Sequence, residues 1–202
     1  MQIFEPRLRW VTTVVLATIG GGVAIAWSKL NLEFLFYAST VALQIALFLY
    51  IDRRVKFSPL VLWGLTLWAI LHFAGGLMPI PESLTEPGRP TNLYNLRLFP
   101  WFPKYDQIVH AYGFGMTVIL IYEAICVRIG RTLRIDLVLG SMLFLAAMGL
   151  GAINEVIEFL AVLLMPDTNV GGYENTGWDL VSNGTGAFIA ICWLKRFRPV
   201  ND

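Results

Sequence analysis

The residues of this sequence best suited to chemistry stand in one stretch, 150–186, whose other residues are mostly apolar. They are Asn154, Glu155, Glu158, Asp179 and Asn183. A charged side chain at the centre of a membrane helix costs about 2.5–3.5 kcal/mol on insertion scales. Because this cost is high, several carboxylates kept close together in apolar segments indicate a functional site.

Three residues from other segments have side chains that suit the same site, namely His72, Asp106 and His110. Residues three or four positions apart share a helix face, which pairs Asp106 with His110, Glu155 with Glu158, and Asp179 with Asn183. At a rise of 1.5 Å per residue, all these groups lie in one band near the same ends of four helices. We therefore expect the four helices to bring them together.

Carboxylates combined with imidazole are typical ligands of a divalent cation such as zinc, manganese, iron or magnesium. The candidate ligands are Asp106, His110, Glu155, Glu158 and Asp179, supported by Asn154 and Asn183. Glu155, His110 and His72 are the candidates for acid–base catalysis. A bound cation would offset the mutual repulsion of the carboxylates, and it could activate water or polarise a phosphoryl or carbonyl oxygen.

Structural roles remain open for some of these residues. Asp106 and Asp179 stand near predicted helix starts, where each could simply be an N-cap. His72 could be a buried core histidine with a local partner. Glu155 is the hardest to explain in this way, because it is the deepest of the carboxylates.

The composition is that of an integral membrane protein. Of the 202 residues, 56% are hydrophobic and 14% are charged, and the mean hydropathy is +0.64. A soluble domain carries about 25% charged residues. The net charge of +1 gives no indication of a nucleic-acid partner, so membrane lipids are the expected surroundings.

Six apolar runs predict an all-α, polytopic membrane helix bundle that forms one domain over residues 1–202. About 20 apolar residues cross the roughly 30 Å of a bilayer's hydrocarbon core. The predicted spans are 10–27, 32–51, 59–78, 107–127, 137–165 and 178–194.

The basic residues predict the orientation of this bundle. Of the 15 Lys and Arg residues, all but Lys29, Arg89, Arg97 and Lys104 fall at the helix ends that share a side with the two termini. Since cytoplasmic ends carry the excess of Lys and Arg, we expect a bacterial cytoplasmic (inner) membrane protein with both termini in the cytoplasm. The polar site then faces the extracytoplasmic side.

Two loops on the side of the polar site are long. Residues 79–106 contain six prolines and the run Phe99-Pro100-Trp101-Phe102. This loop is either an anchor whose aromatic residues rest among lipid headgroups or a lid that borders the site. Residues 166–177, which are rich in turn formers, are expected to lie directly over the site.

Four segments resemble the YjdF-type bacterial inner-membrane proteins: His72–Gly76, Tyr105–Phe114, Asn154–Phe159 and Gly177–Gly186. The likeness covers the third to sixth spans. More distantly, the order of polar residues is similar to that of VanZ-like proteins, whose characteristic positions correspond to Asp106, His110, Glu155, Glu158, Asp179 and Asn183. Glu158 stands where VanZ-like proteins often carry Gln. This resemblance implies a role at the cell envelope with a lipid or lipid-linked glycan substrate.

Three functions compete on this evidence. The first is a metal-dependent enzyme that acts on a lipid or lipid-linked envelope substrate, although the sequence contains no nucleophile elbow and no arginine cluster of a phosphatase. The second is a proton- or cation-coupled transporter, which requires polar residues that continue inward; Gln44 and Glu123 offer few of these. The third is an accessory membrane subunit whose polar network only stabilises the bundle.

Overall fold

A computed structural model describes residues 6–85, 88–165 and 168–197, which form a bundle of six α-helices. The helices are α1 (Pro6–Ser28), α2 (Leu32–Val55), α3 (Pro59–Leu77), α4 (Tyr105–Ile129), α5 (Leu137–Leu164) and α6 (Tyr173–Phe197). The described parts of the loop before α4 contain two short 3₁₀ turns, Glu82–Leu84 and Leu93–Asn95. The all-α prediction is confirmed.

The first five helices are long and apolar enough to cross a membrane. The sixth is as long as α4 but more polar, so a sixth crossing stays a prediction. Glu86, Pro87, Pro166, Asp167 and Arg198, which belong to the predicted loops and the basic C-terminal end, lie outside the described residues.

Local sequence signals set most of the helix starts. The side chains of Asn31, Ser58 and Asp136 each accept a hydrogen bond from a backbone N–H in the first turn of α2, α3 and α5. Such caps satisfy N–H groups that a helix leaves unpaired at its start. At the other end of α4, Gly130 adopts the left-handed conformation (φ +79°) that ends the helix.

Helix α4 is central to the bundle, because it contacts α2, α3, α5 and α6 and packs most extensively on α6. Gly186 makes that packing possible, since a Cβ at this position would overlap the backbone carbonyl of Ala111. Small residues allow such close approach of membrane helices. The core at the predicted cytoplasmic ends is mostly apolar, with Val61, Val118 and Leu194 fully buried, and it also buries Asp52 and Glu123, which contact Arg7 and Ser58.

The structure corrects three expectations about helix ends. Helix α6 begins at Tyr173 instead of residue 178, so Asp179 lies nearly two turns inside the helix and is not its N-cap. Asp106 is the second residue of α4; the cap position is Lys104, whose N–H donates to Gln107 Oε1 at 2.9 Å. The predicted loop 166–177 is therefore shorter, because its last residues form the first turn of α6.

Candidate functional site

Five of the predicted site residues line a cavity of about 60 Å³ at the ends of α2 to α6 that carry few basic residues, and Glu155, Asp179 and Asn183 lie behind this lining. His72, Asp106, His110, Asn154 and Glu158 all line it. A water molecule needs roughly 10–15 Å³ measured in this way, so the cavity has room for a few waters or a hydrated ion. The structure thus brings both histidines of the sequence to one place.

His110 lies at the centre of the polar residues. Its Nδ1 is 3.1 Å from Asn183 Oδ1 and 3.9 Å from Glu155 Oε1. Its Nε2 is 3.6 Å from Asp106 Oδ1 and 3.8 Å from Glu158 Oε1. One imidazole ring therefore faces three carboxylates and an amide, which come from four positions on α4, α5 and α6.

The five candidate metal ligands form two groups that share His110. Ligand atoms of Asp106, His110 and Asp179 lie within 4.8 Å of one another, and so do those of His110, Glu155 and Glu158. We call these five residues the acidic cluster. Spacing of this kind fits a cation held between side chains of different helices.

Two carboxylates of the acidic cluster are buried without full pairing. Glu155 is 9% exposed, and neither carboxylate oxygen has a hydrogen-bond partner among the described residues. Asn154 and Thr176 lie beside this carboxylate but do not meet hydrogen-bond geometry. Asp179 is fully buried; its Oδ2 accepts from Asn175 Nδ2, while its Oδ1 has no partner within the same described part of the chain.

Side-chain amides and one lysine contact carboxylates of the acidic cluster, directly or through one amide. Asn154 Nδ2 donates to Glu158 Oε1 at 2.9 Å. Lys104 Nζ donates to Asn175 Oδ1, which links this cation to Asp179 through the Asn175 amide. The site thus contains four carboxylates, one imidazole and, one amide away, one ammonium group. Negative charge stays in excess even if His110 is protonated, and bound protons or a bound cation must offset it.

His72 lies in the wall of the same cavity but apart from the acidic cluster. Its Nδ1 is 2.5 Å from the Tyr94 hydroxyl, and its ring stacks on Trp68 with centroids 5.3 Å apart. Burial raises the pKa of the Tyr94 hydroxyl well above its ordinary value, so the phenol stays protonated and can donate a hydrogen bond to His72 Nδ1. His72 is thus a neighbour of the cluster, and no ligand group of the described residues includes it.

Sequence analysis did not single out several further residues of the cavity wall, although two of them, Asn169 and Asn175, lie in the segment 166–177 that it expected over the site. These further residues are Glu33, Tyr37, Tyr94, Asn95, Asn169 and Asn175. Glu33 follows the Asn31 cap and reads as an ordinary first-turn acid, yet it is buried and its Oε2 accepts from the Asn169 N–H at 2.9 Å. Tyr94 belongs to the proline-rich loop. This loop therefore borders the site, which is the second of the two alternatives predicted for it.

Two glycines give the side chains of the site their room. A Cβ on Gly151 of α5 would lie 2.7 Å from Asn183 Nδ2, and a Cβ on Gly75 of α3 would overlap the Tyr94 ring. Asn183 holds His110 and Tyr94 holds His72, so each glycine makes space for the residue that orients a histidine.

Comparison with known proteins places the chain by family. Residues 8–199 match the model of a family described as "Predicted membrane protein (DUF2238)". No curated protein and no solved structure matches the chain. The match covers nearly the whole chain and confirms the expectation of a multi-pass membrane protein, whereas the YjdF-type and VanZ-like resemblances stay predictions.

Proposed function

The chain belongs to the DUF2238 family of membrane proteins, and we propose that it is a metal-dependent enzyme acting on a lipid or lipid-linked substrate of the cell envelope. The observation that carries the proposal is the environment of His110 Nε2. With Asn183 Oδ1 accepting from Nδ1–H, a neutral ring turns the lone pair of Nε2 toward Asp106 and Glu158. A lone pair and two carboxylates repel one another unless a cation or a proton lies between them, and we assign a cation to this position.

The distances suit such a cation. Two ligand atoms each about 2.1 Å from a zinc-sized ion, at a tetrahedral angle, are about 3.4 Å apart. The separations from Nε2 to Asp106 and Glu158 are 3.6 and 3.8 Å. The unpaired oxygens of Glu155 and Asp179 support the same assignment, because buried carboxylates without partners are costly.

Each residue of the site has a role in this proposal. Asp106, His110, Glu155, Glu158 and Asp179 supply the ligands, and Asn154 and Asn183 orient Glu158 and His110. The cation would supply Lewis-acid chemistry toward a phosphoryl or carbonyl oxygen. A carboxylate such as Glu155 that is not needed as a ligand can accept a proton from water.

His72 suits hydrogen-bond donation better than the role of base. With the Tyr94 hydroxyl donating to Nδ1, a neutral His72 carries its own proton on Nε2. A neutral imidazole holds this proton too tightly to act as a general acid, so His72 would donate a hydrogen bond to a substrate oxygen. His72, Asp106 and Glu158 line the same cavity, so a carboxylate there would serve as the base.

The proposal includes the predicted location of the enzyme, with both termini in the cytoplasm of a bacterium and the cavity at the outer face of the inner membrane. The basic residues at the opposite helix ends support this orientation. At the outer face, lipid headgroups lie at the level of the cavity, which suits a lipid substrate.

A cation-coupled transporter is the second candidate. It is favoured by Thr40 and Gln44, which extend the cavity wall along α2, with Gln44 about 17 Å inward from Glu33. Against it, fully buried Val118 and Leu194 fill the bundle further in. The described residues offer no polar route through these side chains, so a site that works from one side is better supported.

The test of the enzyme is turnover on defined lipids. Purified protein, stripped with a chelator and reloaded with zinc, manganese, iron or magnesium, is incubated in mixed micelles with phospholipids and lipid-linked glycans, and products are identified by mass spectrometry. We expect metal-dependent conversion that Glu155→Gln abolishes and that Glu82→Gln, the same change at an exposed residue, leaves intact. Conversion that is absent with every reloaded metal would exclude this enzyme for those substrates.

A further inference from the structure

A second depression lies beside the cavity, between α4, α6 and the proline-rich loop, and its volume is about 770 Å³. Its wall contains Arg89, Arg97 and Lys104, with Glu174 as its acidic residue. We call this depression the basic groove. These three cations are all the basic residues of this end of the bundle apart from Lys29, so positive charge is concentrated at one place on an end that otherwise has little.

The basic groove also has an apolar side that continues onto the outer surface of the bundle. Trp101 is 79% exposed, and Ile108 of α4 and Val181 of α6 are 43% and 56% exposed. Exposed apolar residues on membrane helices face acyl chains, and tryptophan prefers the level of the headgroups. An anionic lipid is complementary to this surface, because its headgroup suits the cations and its acyl chains suit the apolar strip.

Part of the groove is held in shape by the loop itself. The Arg97 guanidinium donates from Nη1 to the carbonyls of Pro100 and Phe102, at 3.1 and 3.4 Å. Lys104 is 5% exposed and donates to Asn175, which lines both the groove and the cavity. A hydrogen-bonded chain therefore runs from the groove through Lys104 and Asn175 to Asp179 of the acidic cluster.

We propose that the basic groove binds the phosphate headgroup of an acidic membrane lipid, with the phosphate near Arg89 and Arg97 and the acyl chains along Ile108 and Val181. Charge complementarity and the exposed apolar strip commit the groove to a lipid rather than to free phosphate. For the proposed enzyme, the groove would be the entrance of an acidic lipid substrate. Binding in the groove does not depend on the proposed function; only the further passage of the headgroup past Lys104 and Asn175 to the acidic cluster rests on it.

Native mass spectrometry of the detergent-purified full chain tests this binding. Phosphatidic acid and phosphatidylcholine with identical acyl chains are titrated, with inorganic phosphate as a separate arm. We expect clear preference for phosphatidic acid, about tenfold weaker binding in Arg89→Gln, and unchanged binding in Lys29→Gln, an exposed cation at the same end but outside the groove. Val181→Glu, at an exposed position, should weaken binding as well.

Three results would overturn the proposal. They are equal binding of the two lipids, equal loss in Arg89→Gln and Lys29→Gln, and displacement of bound lipid by millimolar inorganic phosphate. Because Arg89 is not part of the acidic cluster, Arg89→Gln should keep its metal content, which is measured in the same samples. Loss of lipid binding with metal retained therefore separates a failure of the groove from a failure of the metal site.

Discussion

At the scale of single residues, His110 decides the chemistry, because its two ring nitrogens face different partners. Asn183 holds Nδ1 and so orients the ring, while Nε2 is directed at Asp106 and Glu158. Residues that orient a metal-binding histidine in this way set its tautomer and strengthen its binding. Glu155 adds a buried carboxylate whose oxygens accept no hydrogen bond from the described residues.

Glu155→Gln should separate metal binding from folding. The change keeps the shape of the side chain and removes a buried charge that accepts no hydrogen bond from the described residues, so the metal-free variant should be at least as stable as the metal-free natural protein. Zinc or manganese at 100 times its Kd should stabilise the natural protein by about 2.7 kcal/mol and leave the variant unaffected. Thermal unfolding in detergent measures both effects.

The exposed Glu82→Gln variant is the control and should respond to metal as the natural protein does. A metal-free Glu155→Gln protein that unfolds more readily than the metal-free natural protein would make Glu155 a structural residue. In that case the accessory-subunit hypothesis would be favoured over the enzyme.

Tyr94→Phe should test whether the proline-rich loop is tied to the site. The variant leaves Nδ1 of half-buried His72 without its 2.5 Å partner, and an unsatisfied buried polar group costs about 1–3 kcal/mol. Thermal unfolding should show this loss, whereas Tyr173→Phe, at a 96% exposed tyrosine, should show none. Equal stability of the two variants would mean that the Tyr94 contact does not hold the loop.

Much of the residue-level site could be predicted, because a carboxylate or histidine in an apolar run is visible without any structure. Four of the seven cluster and supporting residues line the cavity, namely Asp106, His110, Asn154 and Glu158, and the other three lie beside His110 as their helix spacing indicates. Glu33 and Tyr94 were not predicted, because each lies at a segment end or in a loop, where polar residues are common. Only the tertiary fold shows that these two side chains turn inward.

At the scale of helices, the contact between α4 and α6 positions the site, because these two helices carry Asp106, His110, Asp179 and Asn183. Gly186 lies directly against the Ala111 carbonyl. A side chain cannot be accommodated there by a change of rotamer, since the obstacle is backbone. The distance between the two helices, and with it the shape of the acidic cluster, depends on this glycine.

Gly186→Ala should therefore move α6 away from α4 and destabilise the protein by about 1–3 kcal/mol, as overpacking does. Gly149→Ala is the matched control, because a Cβ there meets nothing within 4 Å. Thermal unfolding compares their stability, and metal affinity measured on the same samples should fall only in Gly186→Ala. Unchanged metal affinity in that variant would show that helix separation does not set the cluster geometry.

Most helix positions could be predicted well from apolar runs. The start of α6 could not, because hydropathy does not detect a helical turn made of polar residues. The first turns of α6 contain Glu174, Asn175, Thr176 and Gly177, which a hydropathy criterion assigns to a loop. In the fold, Asn175 accepts a hydrogen bond from Lys104, 71 residues earlier in the chain, so the polar turn is stabilised by a contact distant in sequence. Such contacts leave no periodic signal.

At the scale of the whole molecule, charge is distributed unevenly between the two ends of the bundle. One end carries most of the basic residues, among them Arg7, which pairs with buried Asp52. The other end holds the acidic cluster and, beside it, the basic groove. This asymmetry supports a fixed orientation, with chemistry confined to one face of the membrane.

Cysteine accessibility should establish that orientation. In a background with Cys126→Ala and Cys192→Ala, single cysteines replace the exposed residues Lys29 and Arg131 at opposite ends of the bundle. We expect a membrane-impermeant thiol reagent added to intact cells to label the protein carrying Lys29→Cys and to reach Arg131→Cys only after permeabilisation. The opposite pattern would place the acidic cluster in the cytoplasm.

The most direct test of the proposed metal site is elemental analysis of the purified natural protein beside Glu155→Gln, His110→Ala and the control Glu82→Gln. We expect near-stoichiometric zinc, manganese or iron, or magnesium recovered by titration, in the natural protein and the control, and little in the other two. A natural protein that is metal-free and binds no divalent cation on titration would contradict the proposal. The excess carboxylates would then be neutralised by protons, as in a proton carrier or a structural network.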